Sequence, residues 1–156
     1  MLTDIAFRIL YRAAFRVLRL WWFVRRADQY GTMVAVWSGD RVLVVRQSYR
    51  DTLELPGGSI GRHETALAAA CRELNEEVGL VVPPGDLQHA REIVLWRDYR
   101  RDHVTIFEFA VTEPCPPLRI DGREIIAADF MAPEMARRQA ISPFLRAYLE
   151  RSGSDS

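Results

Sequence analysis

The chain has 156 residues, a length that suits one domain able to bury its own core. Hydrophobic residues make up 49% and charged residues 27%, and 21 basic residues balance 21 acidic ones to a formal net charge of +0, which argues against a dedicated nucleic-acid binder. The two cysteines, Cys71 and Cys115, form no C-x-x-C pair, so neither a zinc ribbon nor a disulfide scaffold is expected and a reducing cytoplasm is the default compartment.

Residues 3–26 read as one amphipathic helix, with Thr3 or Asp4 as its cap. Arg8, Arg12, Arg16 and Arg19 step by four, four and three and so share a face, while Ile5, Ile9, Leu10, Val17, Trp21 and Val24 spread over a wide apolar surface. The longest uncharged run, Leu20 to Val24, is too short to span a bilayer, and no small-residue cleavage site follows a clean apolar stretch. Two readings stand side by side. The helix packs on the domain or on a second subunit, or it lies on an anionic membrane surface, for which Arg with Trp and Phe is the expected composition.

The chain divides into this helix at 1–28, a main domain at 29–151 and a frayed polar tail at 152–156. Met33 to Trp37 and Arg41 to Gln47 read as a hairpin about Ser38-Gly39-Asp40. Leu53 to Leu55 is a short strand stopped by Pro56-Gly57-Gly58, and a helix runs from about Ala66 to Val78. Residues 87–96 and 103–112 read as two strands around the turn Arg97 to Asp102, and Ile120 to Phe130 holds a further strand or two. Pro133 to Arg138 and Pro143 to Arg151 look like short closing helices, each with Pro in its first turn. Strands outnumber helices, so the expected class is α+β: a mixed sheet with a few helices against it.

The chemistry concentrates in residues 57–80, GGSIGRHETALAAACRELNEEVGL. Thr65 is a credible N-cap and Gly79 a credible left-handed terminator. Leu67, Ala70, Leu74 and Val78 form the core-facing stripe, and Glu73, Glu76 and Glu77, spaced i, i+3, i+4, fall on another side of the helix. Gathering carboxylates costs a few tenths of a kcal/mol for each like-charge pair. Arg72 offsets part of that as the i, i+4 neighbour of Glu76, and a hard divalent cation would offset far more. An acidic helix face beside a glycine turn therefore suits a diphosphate–metal site, although a solvated face with a chance Glu cluster has the same spacing.

The segment resembles the signature of the Nudix hydrolase family. That signature runs Gly, five residues, Glu, seven residues, Arg-Glu, an aliphatic residue, any residue, Glu-Glu, any residue, Gly and an aliphatic residue. Gly58, Glu64, Arg72, Glu73, Glu76, Glu77 and Gly79 fill the fixed positions, Leu74 and Leu80 the aliphatic ones, and Leu55-Pro56-Gly57 is similar to the family's lead-in. The resemblance implies an α/β/α sandwich around a mixed sheet and Mg²⁺-dependent hydrolysis, with Mn²⁺ as a substitute, of a diphosphate linkage in a nucleoside diphosphate joined to another moiety. It implies that Glu76 and Glu77 are the principal metal ligands, with the Gly58 carbonyl beside them. Glu73 would bind metal or act as general base, Arg72 would orient it, and Glu64 would be mainly structural. Glu124, in Asp121-Gly122-Arg123-Glu124, is the candidate for a further acidic ligand outside the signature, ahead of Glu108 and Glu92.

The expected partner is a small-molecule nucleotide derivative, with a homodimer or a membrane contact through the N-terminal helix as further possibilities. A non-catalytic nucleotide-binding module of the same fold is the alternative, and the intact Glu-Glu pair argues against it. His63, His89 and His103 form no metal-spaced set. Trp37, Trp96 and Tyr99 are candidate base stackers and Arg46, Arg50 and Arg97 candidate phosphate holders, with core packing and solvated arginine as their ordinary alternatives. The signature leaves the substrate open.

Overall fold

The computed structural model describes residues 9–11, 13–18, 28–97, 100–112, 115 and 117–152, with backbone alone at 97, 100, 151 and 152. Seven strands form one mixed sheet: β1 (Gln29–Ser38), β2 (Arg41–Gln47), β3 (Leu53–Glu54), β4 (Gly57–Ser59), β5 (Gln88–Arg97), β6 (Arg100–Ala110) and β7 (Ile125–Met131). Among the described residues of the main domain, three α-helices accompany it: α1 (Ala66–Val78), α2 (Pro133–Arg137) and α3 (Pro143–Ser152). Residues 9–11 and 13–18 are helical, as expected of the N-terminal segment, whereas the proposed cap at Thr3 or Asp4 and Ile5, Arg8, Arg12, Arg19, Trp21 and Val24 lie outside the described residues. So do Tyr99 and most of the tail, although helix α3 runs to Ser152.

The hairpin about Gly39 forms but soon parts. Strands β1 and β2 pair only at Trp37↔Val42 and Ser38↔Arg41; farther along, β2 pairs with β3 at Val45↔Glu54 and Arg46↔Leu53, and it pairs with β7 along its length. Into the gap comes β4, antiparallel to β1 at Met33↔Gly57 and Thr32↔Gly58, with the Val34 amide donating to the Pro56 carbonyl at 2.9 Å. The expectation that Pro56-Gly57-Gly58 merely stops a strand is thus corrected: Gly57 and Gly58 are themselves in the sheet. A Cβ at Gly57 would stand 2.7 Å from Met33 Cα, and its φ of +151° excludes most side chains, so only glycine lets β4 lie this close to β1. On its other edge β1 runs parallel to β6 from Gln29↔Asp102 to Trp37↔Ala110, and β5 pairs antiparallel with β6. The turn expected at Arg97 to Asp102 is tighter than the sequence suggested, since β6 already begins at Arg100.

The sheet is covered on both faces, one by α1 and the other by α3. The first cluster joins Val34, Val36, Leu43 and Val45 to Ala70, Leu74 and Val78. The second joins Ala35, Val42, Val44 and Ile106 to Phe144, Leu145, Tyr148 and Leu149. Alternate residues of β1 and β2 serve opposite layers, as a sheet buried on both sides requires. No helix among the described residues is long and apolar enough to cross a membrane.

Candidate active site

Helix α1 is set by its ends. The Thr65 hydroxyl accepts the Ala68 amide at 3.1 Å. Gly79, at φ +72°, donates to the Asn75 carbonyl at 3.1 Å, the five-to-one bond of an αL cap, and the Leu80 amide reaches back to the Leu74 carbonyl at 3.2 Å. With Leu74 and Val78 fully buried against the sheet, the rotation of the helix is fixed and its glutamates are aimed along β4.

The three carboxylates are not equivalent. Glu76 is exposed, Glu73 is half-buried, and Glu77 is only 6% exposed. The Glu77 carboxylate accepts the Gly57 amide at 2.8 Å, so the glycine strand and the helix are joined at this residue. Burial pushes the Glu77 carboxyl well above the usual carboxylate range. The Gly57 amide pulls against that, and the charges of Glu73, Glu124 and Glu54 push it further up. Glu73 is raised by the same burial, opposed by Arg72 and reinforced by Glu76 and Glu124.

Arg72 is the hub. Its guanidinium donates to Glu64 at 2.9 and 3.0 Å, to Glu73 at 2.7 Å, to Glu76 at 3.0 Å and to the Ser59 carbonyl at 3.1 Å. A planar fork with five donors suits this task and an ammonium does not. Glu64, held by Arg72 and by the Gly61 amide, has its carboxyl drawn down to about 2. Its bonds tie the signature's loop to its helix, which accords with a structural part.

Glu124 reaches the same place from the far side of the chain. The Asp121 side chain accepts the amides of Arg123, Glu124 and Ile125, Gly122 turns at φ +69°, and the Glu124 carbonyl takes the Ser48 amide at 2.7 Å. This turn holds the Glu124 carboxylate against the Tyr49 hydroxyl, which donates to it at 3.1 Å, and close enough to raise Glu73 and Glu77. Glu108 lies elsewhere: it accepts Tyr148 Oη–H at 2.7 Å in the α3 layer. Glu92 is exposed on β5 opposite Thr105.

Two contributors carried no motif. Glu54 is 3% exposed, accepts the Ser142 hydroxyl and presses on Glu77. A lone carboxylate between Leu53 and Leu55 in an apolar strand was its only signal. Tyr49 had none, since its role depends on a partner 75 residues away.

Among the described residues no three acidic, histidine or cysteine side chains stand close enough to hold an ion as a group. Arg72 instead draws Glu73 and Glu76 to itself, and the Gly57 amide engages Glu77. The donor set nevertheless fits a hard divalent cation. Glu54, Glu73, Glu77 and Glu124 are all oxygen donors, and the charges of the other three act on Glu77.

Beside this cluster opens a cleft of about 240 Å³, reaching from Gly57, Gly58 and Glu54 to Tyr30 and Asp102. Of the candidate phosphate holders Arg50 lines it, Arg46 faces another surface, and the Arg97 side chain lies outside the described residues. Of the candidate stackers, Trp37 is a packing residue whose indole donates to Tyr148 Oη at 2.9 Å, and Trp96 is exposed, with Arg101 5.7 Å over its ring. The three histidines are apart: His63 is exposed, His89 meets Phe107 edge-on, and His103 stacks on Tyr30 at 4.8 Å.

Comparison with known proteins agrees with this fold. The model of the NUDIX domain matches residues 28–151, and the chain belongs to the Nudix hydrolase family. An RNA pyrophosphohydrolase of Legionella pneumophila (strain Corby) is 38% identical over 68 residues, which is 44% of this chain and 38% of that protein. The chain thus matches well under half the length of these curated relatives. Among solved structures, a MutT NUDIX hydrolase from Burkholderia pseudomallei superposes with a TM-score of 0.71 at 18% identity, covering 80% of this chain and 97% of that one. The NUDIX domain of Shewanella oneidensis NrtR, complexed with ADP ribose, gives 0.70 at 13% identity, covering 81% and 86%. At such identities these structures speak for the fold.

Proposed function

We propose that the chain is a hydrolase that cleaves a diphosphate linkage in a nucleoside diphosphate joined to a second moiety, with water attacking phosphorus. The observation that carries this is Glu77: a buried carboxylate bonded to the Gly57 amide and crowded by the charges of Glu73, Glu124 and Glu54. Such an arrangement is unfavourable by itself and becomes favourable beside a cation and a polyphosphate.

Glu73, Glu76, Glu77 and Glu124, with the Gly58 carbonyl, are the residues that would hold Mg²⁺ or Mn²⁺. The bound ion supplies neutralisation of the phosphate oxygens and a water of lowered pKa. The rest is the work of the chain. Burial raises the Glu73 carboxyl, in the direction a general base needs, and Arg72 holds its Oε1 at 2.7 Å. Arg50, at the cleft wall, is placed to take a phosphate oxygen. Gly57 and Gly58 of strand β4 line the cleft in which a diphosphate would lie. A chain with only two cysteines suits a reducing cytoplasm as its compartment. Ile9, Leu10 and Val17 are exposed on the N-terminal helical segment and are the residues through which a membrane or homodimer contact would act.

The test is a hydrolysis screen with Mg²⁺, Mn²⁺ or chelator. It spans nucleoside triphosphates, nucleotide sugars, ADP-ribose, dinucleoside polyphosphates and, since the curated relatives are named for RNA, a 5′-triphosphorylated oligoribonucleotide. Metal-dependent release of two phosphate-bearing products from at least one substrate is expected. Nucleotide binding with no turnover on any of them would replace this reading with a binding module.

A further inference from the structure

The N-terminal helical segment is not a bystander to the cleft. Phe15 and Leu18 form part of its wall, together with Met33 and Val104. Phe15 is half-buried and doubly held: its ring lies 5.0 Å from that of Tyr49, and the Arg50 guanidinium stands 4.5 Å over it. Tyr11, one helical turn earlier, approaches the same tyrosine at 6.5 Å. Tyr49 in turn donates its hydroxyl to Glu124 at 3.1 Å. One side chain therefore touches both the helix and the carboxylate cluster.

The cleft has two chemistries. Phe15, Leu18, Met33 and Val104 offer apolar surface, while Gln29, Gln47 and Asp102 offer hydrogen-bonding groups deeper along β1, β2 and β6. Such a mixture suits a flat ring with a polar edge. At about 240 Å³ the space lies below the usual range for a drug-sized ligand, about 300–1,000 Å³, and so takes one ring system rather than a whole dinucleotide. The cleft also runs without a break to Gly57, Gly58 and Glu54, so its occupant is attached to the diphosphate held there.

We infer that Phe15 and Leu18 are specificity-determining residues. The N-terminal helix closes the substrate cleft as an apolar wall, and the ring it takes is the nucleobase of the substrate. This rests on the hydrolase reading above for the diphosphate end and adds a part for a segment outside the family's matched domain. The helix is then a piece of the substrate site, and the exposed Ile9, Leu10 and Val17 lie on its remaining surface.

The experiment is calorimetric titration of the full chain, with Mg²⁺ present, using AMP, GMP, CMP and UMP and, as the base-free probe, ribose 5-phosphate. At least one nucleoside monophosphate is expected to bind about tenfold more tightly than ribose 5-phosphate. In Phe15→Ala most of that advantage disappears while ribose 5-phosphate affinity stays within about twofold. Leu18→Ala, at a position 43% exposed and so safe for folding, shows a smaller loss in the same direction. Glu77→Gln serves as the separate control, since it tests the hydrolase reading and should keep the base-dependent advantage. The inference is overturned if the native chain shows no advantage for any base, or if the advantage survives in both Phe15→Ala and Leu18→Ala. Loss of turnover in Glu77→Gln together with either result would leave the hydrolase reading standing without it.

Discussion

Gly57 and Gly58 are adjacent, yet they are glycine for different reasons. At Gly58 a methyl group would collide with the end of the Glu73 side chain, which is free to swing away. At Gly57 it would collide with the β1 backbone at Thr32 and Met33, which is not. Gly58→Ala should therefore leave the melting temperature within a few degrees and lower kcat about tenfold or more, by turning Glu73 from its place. Gly57→Ala should cost about 2 kcal/mol or more of stability in urea titration, because strand β4 must leave β1. Equal melting temperatures for the two variants would contradict this account of β4. The same scale shows why the Glu-Glu pair was legible as a motif and its inequality was not. Glu76 and Glu77 are neighbours in sequence, but the 100° between successive helix positions leaves one in solvent and buries the other against Gly57.

At the scale of elements, helix α1 was readable from its apolar stripe, its Thr65 cap and its Gly79 terminator, and its bounds match the expected Ala66 to Val78. Strand β4 was not readable. Two glycines after a proline carry the local signal of a turn, and only the parting of β1 from β2 gives them a partner. Glu54 and Tyr49 escaped for a like reason, since each gains its place from a contact remote in sequence, with Ser142 and Glu124 respectively. Glu124 was singled out only through the family resemblance, and nothing local showed where its turn would sit. Helix α1 also gives the molecule a pH signature. Glu73 and Glu77 have carboxyls raised above their unfolded value of 4.5, so between that value and the raised ones the folded state binds more protons. Stability of the metal-free protein therefore falls as pH rises through that window. Denaturation in chelator should show greater stability near pH 5 than near pH 8, and Glu77→Gln should flatten the difference. A metal-free protein that gains stability over that interval would contradict the burial of Glu77.

At the scale of the molecule, helix α1 carries Glu73, Glu76 and Glu77, the cleft opens where Gly57 and Gly58 meet Met33, Val104 and Phe144 of the α3 layer, and the Trp37 end of that layer is held by a polar network. In that network Trp37 donates to Tyr148 at 2.9 Å, Tyr148 donates to Glu108 at 2.7 Å, and Arg91 lies 5.3 Å over the tyrosine ring. Tyr148→Phe removes both hydrogen bonds and should cost about 1–3 kcal/mol in urea titration while leaving turnover within about twofold. A large loss of activity at unchanged stability would mean that this network acts on the cleft. The expected α+β class, with helices on both sides of a mixed sheet, holds at this scale because alternation and helical period were both strong in the chain; the order of strands depended on long-range pairing. The central claim concerns Glu77. Its most direct test is single-turnover hydrolysis of the best substrate by the native chain and by Glu77→Gln, beside metal and nucleotide titrations of both. The account predicts that the variant folds, since an amide oxygen still accepts the Gly57 amide, that it binds Mg²⁺ more weakly, and that its rate is lower by at least about a hundredfold. A variant that turns over within a few fold of the native rate would contradict it.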